Sequence, residues 1–322
     1  MMPLTVAVQM DPLASINIAG DSTFALMLSA QARGHRLFHY LAEDLNYSGG
    51  RVWAKAQPVT VQRVADDHFR LGDTVALDLG ADADVVLMRQ DPPFDLGYIT
   101  ATHLLERIAD RTLIVNDPAQ VRNAPEKVFV LDYAHFMPPT LVTRSLDEAR
   151  AFLNAHGEIV IKPLHGNGGK AIFRVGRDGA NLSALIEVFN GMWREPHMVQ
   201  AFLPDVAKGD KRIVLVDGEV AGAINRLPGA GEIRSNLAVG GSAEKTTLTN
   251  EEREICDALG PELKRRGLLF VGIDVIGGKW LTEINVTSPT GIVAVEAFDG
   301  TDVAAMIWHA IEAKVAVRLG LA

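Results

Sequence analysis

Asp274, Glu283 and Asn285 have the types and spacing of a set of oxygen ligands. They lie in LLFVGIDVIGGKWLTEINVTSPTG, residues 268–291, where Gly277-Gly278 separates two apolar runs. A two-residue turn at these glycines predicts a β-hairpin in which Ile276 faces Lys279 and Asp274 faces Leu281. Side chains alternate between sheet faces, so Glu283 and Asn285 fall on the face that carries Asp274. Neighbours across the diagonal would then be roughly 7–8 Å apart or closer. Two carboxylates and an amide oxygen are hard donors, suited to Mg²⁺ (or Mn²⁺) carrying a nucleotide's phosphates rather than to Zn²⁺. An ordinary hairpin with a solvated polar face is the plainer alternative. The flanking apolar runs argue against it, because a buried carboxylate is costly without a cation or hydrogen bonds.

Further cationic residues stand near glycines. EIVIKPLHGNGG, residues 158–169, puts Lys162 at the end of an apolar strand and just before a glycine-rich turn. Glycines let backbone N–H groups approach a phosphate, and a lysine supplies charge. The spacing is neither that of a Walker A loop nor that of a dinucleotide-binding fingerprint. Taken alone, it reads equally well as a tight turn beside a surface lysine. Lys127, on a predicted short helix Glu126–Leu131, would alone be a surface lysine. Arg89 follows a buried strand, at the end where α/β sheets bind ligands. Arg212 begins a strand, Arg226 ends one, and Arg234 and Asn236 lie in the glycine-rich stretch 228–241. Guanidinium forks suit carboxylates and phosphoryl groups.

The elements that must position these residues read as an α/β chain. Strands are predicted at Thr5–Met10, His35–Leu41, Asp84–Met88 and Thr112–Asn116, with helices at 21–33 and Gly97–Ala109 between them. Asn46–Gln62 reads as a hairpin excursion turning at Gly49-Gly50. This predicts an N-terminal α/β domain with a parallel sheet over residues 1–122. A second unit, 123–202, holds helices Ser145–Ala155 and Leu182–Phe189 with strands Glu158–Ile161, Ala171–Val175 and Met198–Phe202. A third, 203–322, opens with paired strands Lys211–Val216 and Val220–Arg226. Helix Thr249–Arg266 follows, with a capping box Thr249-x-x-Glu252 and a stripe of Ile255, Leu259 and Leu263. The opening hairpin comes next, then an amphipathic helix Thr301–Leu319.

The 322 residues are enough for two or three domains. A net charge of −9 argues against a dedicated nucleic-acid binder, which needs a basic surface. It does not argue against ATP, which local lysines and magnesium can hold. The single cysteine, Cys256, excludes an intrachain disulfide and fits a reducing compartment. Its place in a helix reads as packing. The N-terminus lacks a signal-peptide pattern, and no apolar run reaches transmembrane length, so the expected location is cytoplasmic with no membrane partner.

In order, a helix lysine, a lysine before a glycine-rich loop, a polar strand and a late Asp…Glu-x-Asn hairpin resemble the ATP-grasp fold. MDPLASINIAGDSTFALMLSAQARGH, LMRQDPPFD, LIVNDPAQVRNAPEK, IVIKPLHGNGG, GDKRIVLVDGE and the hairpin segment narrow the likeness to the bacterial glutathione synthetases, from about Val6 to Ala313. That resemblance implies a two-subdomain α+β ATP-grasp fold after the N-terminal domain. It also implies an ATP-dependent ligase joining γ-glutamylcysteine to glycine, giving ADP and phosphate. By it, Asp274, Glu283 and Asn285 hold Mg²⁺, while Lys127 and Lys162 contact ATP phosphates under Gly168 and Gly169. Gln200, Ala201, Phe202 and Leu203 form the adenine hinge, and Asp210 meets the ribose. Arg212 and Arg234 act on the reacting groups, and Arg89, Arg226, Asn236 and Ser288 face the peptide substrate. A homotetramer is implied as well. His165 stands where the family often has an acidic residue.

Such chemistry needs no protein nucleophile. A carboxylate becomes a competent electrophile once phosphorylated, and phosphoryl transfer needs positioning and charge neutralisation. Two glycine-rich loops, 165–169 and 228–241, would exclude water from the acyl phosphate. The rivals are another ATP-grasp ligase, acting on D-alanine or adding amino acids to a protein tail, and a non-catalytic ATP-binding module.

Overall fold

A computed structural model describes residues 2–229, 234–235 and 240–321. Three sheets organise it. The first runs β3 (Leu45–Ser48), β4 (Arg51–Val61), β2 (Arg36–Tyr40), β1 (Thr5–Gln9), β7 (Val85–Met88), β8 (Leu113–Val115). β5 (Phe69–Leu71) and β6 (Val75–Asp78) pair with β4. The strands β2, β1, β7 and β8 are parallel, and β4 joins them antiparallel. β1 and β7 are buried at every residue, as strands covered on both faces must be. The covering helices include α1 (Ser22–Ala32) and α2 (Leu96–Glu106), followed by the short α3 (Pro118–Asn123). Asp21 caps α1 by accepting from Phe24 N at 2.6 Å.

The second sheet is antiparallel, in the order β11 (Phe173–Val175), β10 (Ile159–Pro163), β12 (His197–Ala201), β9 (Thr140–Thr143). Helices α5 (Leu146–His156) and α6 (Leu182–Met192) cover one face through Leu153, Ile186 and Phe189, in one core with Ile159, Ile161 and Val199. Lys162 and Gln200, on the alternate positions, look the other way. Before this sheet comes α4 (Glu126–Phe129), one turn long, which passes into a 3-10 helix at Val130.

The third sheet is antiparallel: β15 (Ser242–Lys245), β14 (Glu219–Leu227), β13 (Asp210–Val216), β16 (Phe270–Ile276), β17 (Trp280–Asn285). One face, with Ile213, Leu215, Ile273 and Val275, shares a core with Ile255, Leu259 and Leu263 of α7 (Asn250–Arg265). Thr249 and Glu252 close the expected capping box on α7. Cys256 is buried in this helix, and burial pushes its thiol up to about 12, as suits a packing residue. The other face divides in two. Val214, Val216 and Ile224 pack with α8 (Ile292–Asp299) and α9 (Val303–Arg318). Gly222 makes room for this: a Cβ there would lie 2.3 Å from Val295 Cγ1. The remainder of that face is polar.

The hairpin differs from expectation in register. Its loop has three residues, 277–279, because Ile276 pairs with Trp280 and Val275 with Leu281. Continued regularly, that register would set Thr282 opposite Asp274 and turn Glu283 to the far face. A bulge between Asp274 and Val275 absorbs Thr282, and Glu283 comes directly opposite Asp274. The shared face therefore holds, for a different reason.

Helices α3 and α8 and strands β5, β6, β9 and β15 were not anticipated; they are short, and α8 (IVAVEAFD) has little polar contrast between its faces. The closing helix α9 buries Ile307, Trp308, Ile311 and Val315, but its outer side mixes Ala313 and Val317 with His309 and Arg318 rather than forming a continuous polar stripe. No helix among the described residues is long and apolar enough to cross a membrane.

Helix α9 is fastened to the first sheet's layer. Trp308 Nε1 donates to Leu26 O at 2.8 Å, and Arg33 Nη1 donates to Glu312 Oε2 at 2.9 Å. Leu4 N donates to His35 Nδ1, which leaves Nε2–H to donate to Glu312 Oε1 at 3.1 Å. Burial lowers the His35 pKa below its ordinary 6.5, against the pull of Glu312. The unfolded chain therefore takes up this proton at a higher pH than the folded chain does, so the His35 contribution declines as pH falls below 6.5. The urea midpoint should drop between pH 7.5 and 5.5, and the drop should be smaller in His35→Gln; an equal drop in both would remove His35 from the effect.

Candidate active site

The polar part of the third sheet's face is built by register. Arg212, Asp274 and Glu283 stand side by side on β13, β16 and β17, and Asp210 pairs with Arg226 on β14. Arg212 grips Asp274 with Nε to Oδ1 at 2.5 Å and Nη2 to Oδ2 at 3.0 Å. Arg226 Nη2 reaches Asp274 Oδ1 at 3.0 Å and Asp210 Oδ2 at 2.6 Å. Asn285 Nδ2 donates to Asp274 Oδ2 at 3.3 Å. Burial opposes the Asp274 charge, but Arg212 and Arg226 outweigh it and hold the carboxyl well below the usual range. Asp210 goes the other way: burial raises its pKa despite Arg226, and Asp274 adds to the rise. Ser235 Oγ donates to Asp210 Oδ2 at 2.9 Å, while buried Oδ1 has no partner among the described residues.

Two lysines converge on Glu283 from the other side. Lys127 Nζ is 3.3 Å and Lys162 Nζ 3.5 Å from its Oε1. Lys127, read alone as a surface residue, is 3% exposed, and it also donates to Gly166 O at 2.6 Å, tying α4 to the glycine-rich loop. Burial works against the Glu283 charge, but the two lysines prevail and its pKa is lowered. Burial lowers the Lys162 pKa even against Glu283, with Lys127 adding to the fall. For Lys127, burial is outweighed by Glu283 and Glu126, and the pKa rises. Gly168 and Gly169 have φ of +61° and +75°, a left-handed conformation open to glycine.

Between the second and third sheets lies a cleft with about 880 Å³ of empty space, the open solvent at its mouth included. Lys127, Lys162, Gly168 and Gly169 line it on one side, and Asp210, Arg234, Asp274 and Glu283 on the other. Gln200, Ala201, Phe202 and Leu203 form its edge, with Val160, Ile172, Val206 and Ile276 giving an apolar lining suited to a flat ring. Within that edge, Ala201 N donates to Pro139 O and Phe202 N to Glu158 O, so those two amides are already engaged. Gln200 Nε2 donates to Thr140 Oγ1 at 2.9 Å. A second cavity adjoins the first at Gly168 and Glu283, and Arg212, Arg226, Asn285 and Ser288 line it, with Glu126 and Thr287.

The donor chemistry fits magnesium, with one qualification set by geometry. Glu283 and Asn285 offer hard oxygens where the two cavities meet. The roughly four lone-pair sites of Asp274 are filled by Arg212, Arg226 and Asn285, so it would release one to take a metal. No cluster of three or more His, Cys, Asp or Glu gathers as a metal cage among the described residues.

Residues 126–300 match the family model of the prokaryotic glutathione synthetase ATP-grasp domain, and residues 4–122 match that family's N-terminal domain. The chain belongs to the prokaryotic glutathione synthetase family. A glutathione synthetase of Rhodopseudomonas palustris is 58% identical over 313 residues, 97% of this chain and 99% of the relative. One from Agrobacterium fabrum is 55% identical over 309 residues, 96% of each. Among solved structures, a D-cycloserine synthetase superposes with a TM-score of 0.67 at 18% identity, covering 96% of this chain and 99% of that one. A RimK-domain ATP-grasp protein of Sphaerobacter thermophilus gives 0.62 at 19%, covering 95% and 99%. Those two share the ATP-grasp fold.

In this glutathione synthetase family chain, most residues singled out from sequence meet at the two cavities. Asn236 lies outside the described residues, as does most of the 228–241 loop. Arg89 lies behind the cavity wall. It is 5% exposed, donates from Nη2 to Pro289 O at 2.8 Å and sits 5.0 Å from the Phe270 ring centroid. Ser288 Oγ donates to Gln90 O at 2.8 Å. Glu126 was missed, although its position beside Lys127 in NAPEK was a signal. Its oxygen accepts from Thr287 Oγ1 at 3.0 Å, and burial raises its pKa.

Glu283→Gln removes the anion on which both lysines converge. ATP turnover should fall about 100-fold with the circular dichroism spectrum unchanged. Normal ADP release by the variant would exclude Glu283 from the mechanism.

Proposed function

We propose that this chain joins γ-glutamylcysteine to glycine, with ATP split to ADP and phosphate. The observation that carries the reading is the meeting of Lys127, Lys162 and Glu283 at the junction of two cavities, one lined for a nucleotide and one lined by arginines for an acid. The chain divides at residues 122 and 202 into an N-terminal domain, a central subdomain and a C-terminal subdomain. The nucleotide lies between the latter two. Its base meets the Gln200–Leu203 edge, its ribose Asp210, and its phosphates Lys127, Lys162 and the Gly168-Gly169 loop.

Glu283 and Asn285 would hold Mg²⁺ or Mn²⁺, and Asp274 would join them on giving up one guanidinium bond. Bound there, the metal would neutralise phosphate charge. Arg226, Asn236, Ser288 and Arg89 serve the acid half, Arg89 by fixing the wall behind it. The substrate carboxylate oxygen attacks the γ-phosphorus, the bond to the β-phosphate oxygen breaks, and ADP leaves. Arg212 and Arg234 compensate the charge that moves during this transfer. The glycine nitrogen then attacks the carbonyl carbon, and phosphate departs as the amide nitrogen loses its proton. Asp274 keeps Arg212 aimed at the reacting groups through two hydrogen bonds. By family likeness we place the protein in the cytoplasm as a homotetramer.

The deciding experiment is ADP release from the purified chain with ATP, magnesium, γ-glutamylcysteine and glycine, each substrate omitted in turn. Release should require both substrates. Release with D-alanine or a peptide tail instead, or nucleotide binding without turnover, would replace this reading by another ligase or by a binding module. In Arg234→Ala, amide formation should fall more than ATP affinity, and unchanged steady-state kinetics would reject its assignment.

A further inference from the structure

We propose that Asn116 is a positioning residue for the wall of residues 286–291, setting where that wall leaves the third sheet. The inference rests on the reading of this wall as part of the substrate half of the site. The β16–β17 pairing ends at Gly272 and Asn285. There the Asn116 side chain enters from the end of β8. Its Nδ2 donates to Phe270 O at 2.7 Å and to Val286 O at 2.8 Å, and its Oδ1 accepts from Phe270 N at 2.8 Å. A carboxamide has the donor and acceptor of a peptide group, so Asn116 pairs with the Phe270 backbone as another strand would. In doing so it occupies the place where the chain beyond Asn285 would otherwise continue against β16. It is 3% exposed, and in so poorly solvated a place a hydrogen bond is electrostatically stronger than in water.

The residues that follow are held one after another. Thr287 bonds Glu126, Ser288 bonds the Gln90 carbonyl, and the Pro289 carbonyl accepts from Arg89. Four successive residues, 286–289, are thus held by different groups, and Arg89, Gln90 and Asn116 all belong to the N-terminal segment. Asn116 holds the first of them, next to Asn285, which faces the cavity. The nucleotide cleft is lined by none of these anchors. Loss of Asn116 therefore displaces the substrate wall and leaves the nucleotide half in place.

Asn116→Asp keeps the shape and the acceptor for Phe270 N–H but turns an anion toward two carbonyl oxygens. Steady-state kinetics of the full chain should show the KM for γ-glutamylcysteine raised about tenfold and the KM for ATP changed less than about twofold. Equal rises in both, or a lower kcat with neither KM moved, would overturn the proposal by making Asn116 a residue of general stability. Ser288→Ala separates the premises: if it raises the γ-glutamylcysteine KM while Asn116→Asp does not, this inference falls. If Ser288→Ala leaves that KM unchanged, the wall is not the substrate wall, and the functional reading of it falls instead. Hydrogen exchange on the unaltered chain tests the idea even if the variant fails to fold. A wall preset by its anchors keeps the same protection over 286–291 when γ-glutamylcysteine is added, whereas a strong gain would show that the substrate, not Asn116, sets it.

Discussion

Asp274 and Glu283 face each other across two strands, and neither could stay ionised there without the cations around them. Two like charges on adjacent strands repel, and burial removes the water that would screen them. Arg212 and Arg226 answer one carboxylate; Lys127 and Lys162 answer the other. These cations come from β13, β14, α4 and β10, so balancing one pair of charges draws four elements together. Charge balance keeps the two carboxylates ionised, and a polyanion can compete for the same cations.

The third sheet serves as both core and site along the same strands. On β13, Asp210 and Arg212 face the cleft, and two residues on, Val214 and Val216 face α8 and α9. Rigid packing at one end of each strand fixes the side chains at the other, which is what a preorganised electrostatic site requires. The first sheet reaches this site by its edge, through Asn116, while the contacts around Trp308 and Glu312 tie its helix layer to α9.

Alternation and turn residues made the α/β order, the three sheets' main strands and the shared face of Asp274, Glu283 and Asn285 legible in the sequence. Lys127 shows what was not legible. On one turn of helix it looks solvated, and only the meeting of α4 with β17 and the glycine-rich loop buries it. The roles of Arg89 and Asn116 were hidden for the same reason: each bonds backbone atoms more than 150 residues away, and local pattern carries no trace of that. Asp274 was readable as a ligand, but its near-complete engagement by guanidinium groups was not, because that depends on strands β13 and β14 being its neighbours. The hairpin register escaped because a glycine pair does not determine whether the loop holds two residues or three.

The bulge at Thr282 bears on how this hairpin can vary. Loop length and bulge each shift the strand by one step, and together they return Glu283 to the side that carries Asp274. With the same residues between Asp274 and Glu283, a slip that tightened the loop to two residues would have to lose the bulge as well, or turn Glu283 into the apolar layer beneath α7. Loop and bulge are therefore coupled in register, and at constant length neither can change alone without turning Glu283 away from Asp274.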